Sequence, residues 1–505
     1  MIRKTVLTLL LLAGTAQVPV PAMAQGQNLR IGLREDPDIL DPSLARSYVG
    51  RIVFSALCDK WFDINDKLEI VPQLATGYKW EDPKTLVITL RAGVTFHDGE
   101  KMDAESVRYS LMRHLTMQGS FRRGEIGSME SVEVVDPQTV RIKLKQPFAP
   151  FLAQLTDRAG MVVSPKASEA AGKEFGNKPV CAGPFRFVER VAQDRIVLER
   201  FPGHWDATRI HLDRVTYLPI TDSTVRLANL QSGALDMVES VSPTDTAAVR
   251  KNPKLRLVVG DELGYQGITV NTANGPRANT PFGKDARVRQ AFELALDRDA
   301  IIQVAFEGMY TPTRQAVPPA SPYHIAGFKP EPRNVERAKA LLREAGVTLP
   351  LTVEMTVPNS PELRQVAEIM QSMVAEAGFT LKISAMEFAS SLQAAARGEF
   401  ETYLIGWSGR TDPDGNIWNF LHTGAGQNDG KYSNADVDTL LDRQRETNDL
   451  TERRALLEKM WRQEGQDLPI IYLWHRKNTP AMSTRVQGFV PVADGLIRLR
   501  DLKLQ

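Results

Sequence analysis

The densest run of chemistry-bearing side chains in this 505-residue chain is Gly406-Trp407-Ser408-Gly409-Arg410-Thr411-Asp412-Pro413-Asp414-Gly415-Asn416. Its first half approaches the G-x-S-x-G nucleophile elbow of hydrolases, but Arg410 stands where the closing glycine is needed. In its second half, Asp412, Asp414 and Asn416 have the D-x-D-x-N spacing that opens a calcium loop. Ile417 then occupies the position that demands glycine, and Thr423 replaces the closing bidentate glutamate. No H-E-x-x-H, P-loop or strand-linked G-x-G-x-x-G occurs anywhere. The seven histidines (His97, His114, His204, His211, His324, His422 and His475) are scattered, with no pair at ligand spacing on one helix. Catalysis and a bound metal have no positive support, and no cofactor is expected.

The elements that would position this loop alternate in type. Tyr403 to Ile405 reads as a strand that ends at Gly406, and it belongs to a block of alternating strands and helices. That block carries helices at Ala286–Leu296, Val335–Glu344, Pro361–Ala377 and Ser390–Ala396, with strands at Leu351–Thr356 and Thr380–Ser384. Upstream, Asn28–Leu33 reads as an opening strand, followed by an Asp/Pro-rich stretch (EDPDILDP) that cannot be helical. Ser43–Leu57 suits a helix. Between Leu68 and Pro147 the texture is strand and turn, with alternation at Leu86, Ile88, Leu90 and at Val140, Ile142, Leu144, interrupted by one helix from Ala104 to His114. Further strands are expected at Phe185–Val191, Arg195–Arg200 and Arg214–Ile220, and Thr224–Ser232 is a helix closed by Gly233.

The first 24 residues have the form of a secretory signal. Arg3 and Lys4 precede an apolar Thr5–Leu12 segment too short to span a bilayer, and Ala22-Met23-Ala24 gives the cleavage pattern. No cysteine stands at the cleavage site to become a new N-terminal residue, so attachment of a lipid there is not expected. The predicted location is periplasmic, exported and not inserted in a membrane. Lys and Arg number 62 against 61 Asp and Glu, which excludes a broad basic footprint for nucleic acid. Export places the two cysteines, Cys58 and Cys181, in an oxidising compartment where an even count favours one disulfide; two buried thiols are the alternative.

One stretch is specific to a family. Leu86–Gly99 (LVITLRAGVTFHDG), followed by Asp103-Ala104 and Val107 and preceded by Ala75 and Trp80, resembles the signature of family 5 extracellular solute-binding proteins. These are the dipeptide-, oligopeptide- and nickel-binding components of ABC importers. Gly183-Pro184-Phe185, Ala228–Asp236 (ANLQSGALD) and Asp285–Ala291 (DARVRQA) with Ala295–Arg298 (ALDR) are similar to further family motifs, in the family's order. The resemblance implies an α/β, two-lobed periplasmic-binding-protein fold of type II, closing like a flytrap, with a small α+β domain inserted in lobe I. Lobe I would comprise residues 25–57, 182–263 and 474–505, the insert 58–181, and lobe II 264–473. It also implies a monomer that captures a peptide or peptide-like small solute and hands it to the permease subunits of an ABC transporter. A non-peptide ligand (opine, sugar derivative, metal chelate or haem) is the alternative, and a secreted hydrolase a more distant one.

In peptide-binding relatives, an acidic residue in the loop after a Gly-Trp pair meets the peptide's ammonium. Here Gly406 and Trp407 are the matching pair, Arg410 falls where dipeptide binders have their aspartate, and Asp412 follows two residues later. The expectation is that Trp407 lines the cleft and that Arg410 or Asp412 meets a charged ligand group. A facing arginine would suit a carboxylate or phosphate. Arg46, Ser47 and Tyr48, after the Asp41-Pro42 turn, and Tyr265, Gln266 and Asn271, at the lobe crossing, are the other candidates by position.

Overall fold

Leu29, Ile31 and Leu33 are fully buried along the strand Asn28–Leu33, as a strand inside a covered sheet requires. In the computed structural model, which describes residues 26–505, this strand is central to a seven-stranded mixed sheet. The order is Leu255–Leu257, Ala481–Ser483, Met237–Val238, Asn28–Leu33, Arg214–Pro219, Arg195–Arg200, Phe185–Val191. Asn28–Leu33 runs parallel to both neighbours, with Leu29 opposite Val215 and Ile31 opposite Met237. The signal-peptide reading falls on residues outside those described.

A second, six-stranded sheet has the order Thr311–Pro312, Ile470–His475, Tyr265–Val270, Thr402–Trp407, Leu351–Pro358, Phe379–Met386. Leu351–Pro358 is parallel to both neighbours, and Tyr265–Val270 is antiparallel to Thr402–Trp407, pairing Tyr265 with Trp407 and Gln266 with Gly406. Each sheet has its own apolar core: Ile52, Phe54 and Tyr217 in the first, Phe292, Met355 and Met370 in the second. The molecule is therefore two-lobed. The last strand runs to His475, so Trp474 and His475 sit in the second sheet, beyond the expected boundary at Leu473.

Between Cys58 and Cys181 lies a four-stranded antiparallel sheet, Ala75–Asp82, Thr85–Leu90, Thr139–Leu144, Met129–Asp136. Leu86, Ile88, Val140 and Ile142 face a third core, into which helix Ala104–Thr116 sets Ala104, Val107 and Leu111 at helical spacing. Asp103 caps that helix by accepting from the Ser106 N–H. Cys58 and Cys181, 123 residues apart, are joined in a disulfide at the base of this block.

The first helix is shorter than the sequence pattern predicts. It spans Tyr48–Leu57, because the Asp38 carboxylate accepts from the backbone N–H groups of Arg46 and Ser47 and holds the preceding residues in a turn. Among the described residues, only two chain segments pass between the lobes. They pair with each other as a two-stranded ribbon, Gly260–Asp261 against Lys477–Asn478, antiparallel.

Candidate functional site

A cavity of about 260 Å³ lies between the two lobes. Its walls are the segments that follow the carboxyl ends of strands in both sheets, where α/β folds place ligands. Arg34, Glu35 and Asp36 follow Asn28–Leu33, and Glu239 to Pro243 follow Met237–Val238. From the other lobe, Asn359 and Ser360 follow Leu351–Pro358, Glu387 follows Phe379–Met386, and Ser408 follows Thr402–Trp407.

Six of the ten predicted residues line it: Arg46, Tyr48, Tyr265, Gln266, Gly406 and Trp407. The Trp407 ring packs edge-on against Phe420, and its Nε1 donates to Asn416 at 3.2 Å. Tyr265 packs edge-on against Tyr472. Gly406 is required by space, since a Cβ there would meet the Gln266 Oε1 at 2.7 Å and the Tyr265 carbonyl at 2.8 Å. Tyr48 donates its hydroxyl to the Gly495 carbonyl, and the Arg34 guanidinium lies over its ring.

The other four do not line the cavity. Ser47 is the cap of helix Tyr48–Leu57; its Oγ accepts from the Gly50 N–H and donates to Asp38. Asn271 clamps a turn by donating its side-chain amide to the carbonyls of Asn274 and Phe400. Asp412 takes Arg453 in a two-point ion pair at 2.6 and 2.7 Å. Arg410 lies over the Trp407 ring and forms an ion pair with Asp157 of the inserted block. A charge already compensated by a partner gains less from a ligand's charge than an unpaired one does. Both side chains predicted to meet the solute are thus held in internal pairs, and neither lines the cavity. The calcium-like spacing is also used internally, as Asp414 accepts from Arg445 and Gln444, and Asn416 from the Arg410 N–H.

The charges that do face the cavity come mostly as matched pairs. Arg34 meets Glu239 at 3.0 Å, and Arg476 meets Glu262 at 3.1 and 3.2 Å. Arg46 of the first lobe meets Asp429 of the second at 2.5 Å, so this pair spans the cleft and seals one side of it. Glu387 caps helix Phe388–Ala396, and Glu362 accepts from Ser360. Arg226, which lines the same cavity, donates to the carbonyls of Ile220 and Thr221. Glu35 stands apart: among the described residues its carboxylate has neither an ion-pair nor a hydrogen-bond partner. Burial pushes its pKa up to about 7, against the opposing pull of Arg34 and Arg476. Sequence reasoning passed over Glu35 because it opens an Asp/Pro-rich stretch that reads as loop. Its place directly after the carboxyl end of a central strand was the available signal.

The comparisons agree with this geometry. The profile described as "Bacterial extracellular solute-binding proteins, family 5 Middle" matches residues 69–428. The chain is 30% identical over 478 residues, 92% of each chain, to the glutathione-binding protein GsiB of Pectobacterium atrosepticum. It is 30% identical over 500 residues, 96% of each, to GsiB of Salmonella paratyphi A. Among solved structures it is similar to the binding protein AgaA in complex with agropinic acid from A. tumefaciens R10, at TM-score 0.86 and 27% identity, covering 95% of this chain and 99% of that one. The periplasmic binding protein DppA of Helicobacter pylori, in complex with the peptide STSA, superposes at TM-score 0.86 over 95% of this chain and 98% of its own; at 24% identity that likeness speaks for the fold alone. With its two lobes, its cavity between them and these matches along nearly its whole length, the chain belongs to the bacterial extracellular solute-binding proteins of family 5.

Proposed function

We propose that this protein is the exported, periplasmic receptor of an ABC importer, capturing a peptide or peptide-like small solute between its lobes and presenting it to the membrane permease. The observation that carries this reading is the cavity itself, walled by both lobes and closed by the Arg46–Asp429 pair. Such a site forms only when the lobes come together, so occupancy changes the outer shape that a permease meets. The likeness to GsiB supports a peptide-like solute. No helix among the described residues is long and apolar enough to cross a membrane. The bound solute is expected to be recovered chemically unchanged after prolonged incubation, as membership of a solute-binding family implies; turnover would defeat the reading.

Native mass spectrometry of protein purified without refolding is expected to show a carried-over small solute. Small-angle scattering should then give a smaller radius of gyration for the occupied protein than for the stripped protein. An identical profile at saturation would argue against lobe closure.

The Arg46–Asp429 pair is the lock in that motion. Both side chains are about nine-tenths buried. Asp429→Asn is therefore expected to weaken solute binding by about 1.5–3 kcal/mol, roughly 10- to 150-fold, mainly through faster release. Stopped-flow dissociation checks this; an unaltered release rate would remove the pair from the closing machinery.

The likeness to AgaA favours a second reading, an opine as the solute. Calorimetry with agropinic acid beside glutathione separates the two.

A further inference from the structure

Among the described residues, one carboxylate lining the cleft, Glu35, makes neither an ion pair nor a hydrogen bond. Around Glu35 the other charges cancel: Arg34 is paired with Glu239 and Arg476 with Glu262. Asp36, the next residue, is paired with Arg190. Asp38 accepts from Ser47 and from the backbone of Arg46. Arg226 lies on the same wall, yet it makes no ion pair with Glu35 and donates instead to the carbonyls of Ile220 and Thr221. The Glu35 side chain is neither fully buried nor open to bulk water; it is accessible through the cavity it lines.

An enclosed carboxylate without a cation is expensive, and a partner brought in by the solute relieves that cost. The usual place for such a partner's counter-charge, the loop after Gly406-Trp407, is occupied here by Arg410 and Asp412, both committed to internal pairs. We propose that Glu35 is the cation subsite of this cleft, receiving an ammonium or guanidinium group of the solute. This rests on the reading of the cleft as a receptor for peptide-like solutes, and it narrows the class to those that carry a positive charge. Burial also raises the pKa of Glu35, and Arg34 and Arg476, each paired with another carboxylate, offset that rise only in part.

The test is calorimetry on the wild-type protein and on Glu35→Gln, which keeps the side chain's volume and removes its charge. The probes are glutathione and trialanine, each with a free and an acetylated amine, and agropinic acid. Wild type is expected to bind the free amines at least tenfold more tightly than the acetylated forms, and Glu35→Gln to abolish that preference. Without solute, Glu35→Gln should melt at the wild-type temperature or above it, because a lone charge has been removed. A lower melting temperature would mean that the carboxylate has a structural partner, and would overturn the proposal. Equal binding of free and acetylated amines, or a preference that survives Glu35→Gln, would also overturn it while leaving the importer reading in place. If the free-amine probes do not bind at all, the peptide-like reading falls and the subsite falls with it.

Discussion

Replacing Asp157 with alanine should destabilise the folded protein by about 3–5 kcal/mol, the largest effect expected of a single side chain here. Asp157 is one carboxylate facing three guanidinium groups: Arg51 at 3.0 Å, Arg158 at 3.7 Å, and Arg410. All four side chains are buried, and Arg122 lies close by with Glu125 as its own partner. Without Asp157, three buried cations would face one another with only Glu125 and Asp494 near them, each already paired with another arginine. The cluster also joins three parts of the molecule, since Arg51 comes from the first helix, Asp157 from the inserted block and Arg410 from the second lobe. Urea denaturation of Asp157→Ala beside wild type measures the loss. A difference below about 1 kcal/mol, the scale of an exposed pair, would show that the cluster is solvated.

The pH dependence has a definite sign. Burial raises the Asp157 carboxyl, but Arg410, Arg51 and Arg158 outweigh it and hold the group well below the usual carboxylate range. A depressed folded-state pKa contributes stability above the unfolded value of about 4 and loses it as pH falls further. The gap between wild type and Asp157→Ala should therefore be full at neutral pH and shrink below about pH 4.

The second large effect is expected from the covalent link. Changing both Cys58 and Cys181 to alanine opens a loop whose ends are 123 residues apart. The chain-entropy model assigns such a closure about 5 kcal/mol, and removals of native disulfides in small secreted domains cost about 2–5 kcal/mol. The bond sits where the inserted block leaves the first lobe, so its loss should loosen that block first. Denaturant melts of the double variant, with thermolysin digestion between residues 58 and 181, test both statements. An unchanged midpoint would show that the three apolar cores suffice without it.

Much of this architecture was readable because it is local. Leu86, Ile88 and Leu90 alternate as a half-covered strand must, Leu29, Ile31 and Leu33 alternate likewise, and Arg195–Arg200 declares itself by the β-branched and apolar run Ile196-Val197-Leu198. The family motifs were legible because they are turns and caps, such as Gly233, which takes φ near 79°. Helices Ala435–Glu446 and Leu450–Asp467 are harder to see. They are rich in charge, and only a narrow stripe, Leu457, Met460 and Trp461 in the longer one, reaches the core. Within the site, Tyr265, Gln266, Gly406 and Trp407 could be placed because strand ends meet the cleft. The role of Arg410 could not, because its partner is Asp157, more than two hundred residues away and in another part of the fold. Charge matching is a property of three-dimensional neighbours, and sequence spacing carries almost none of it.

The paired crossing at Gly260–Asp261 and Lys477–Asn478 has a mechanical consequence. Two independent linkers would let one lobe swing, slide and twist against the other. Here the two strands are laddered together, and Asn478 adds a side-chain bond to the Asp261 carbonyl at 3.1 Å. A hydrogen-bonded ribbon resists shear along its length and bends far more easily across its plane. The two crossings are thus tied into one short hinge and cannot move independently of each other. Closure about such a hinge is expected to return the same residues to the same opposing positions, so that the shape offered to the transporter is reproduced from one solute molecule to the next.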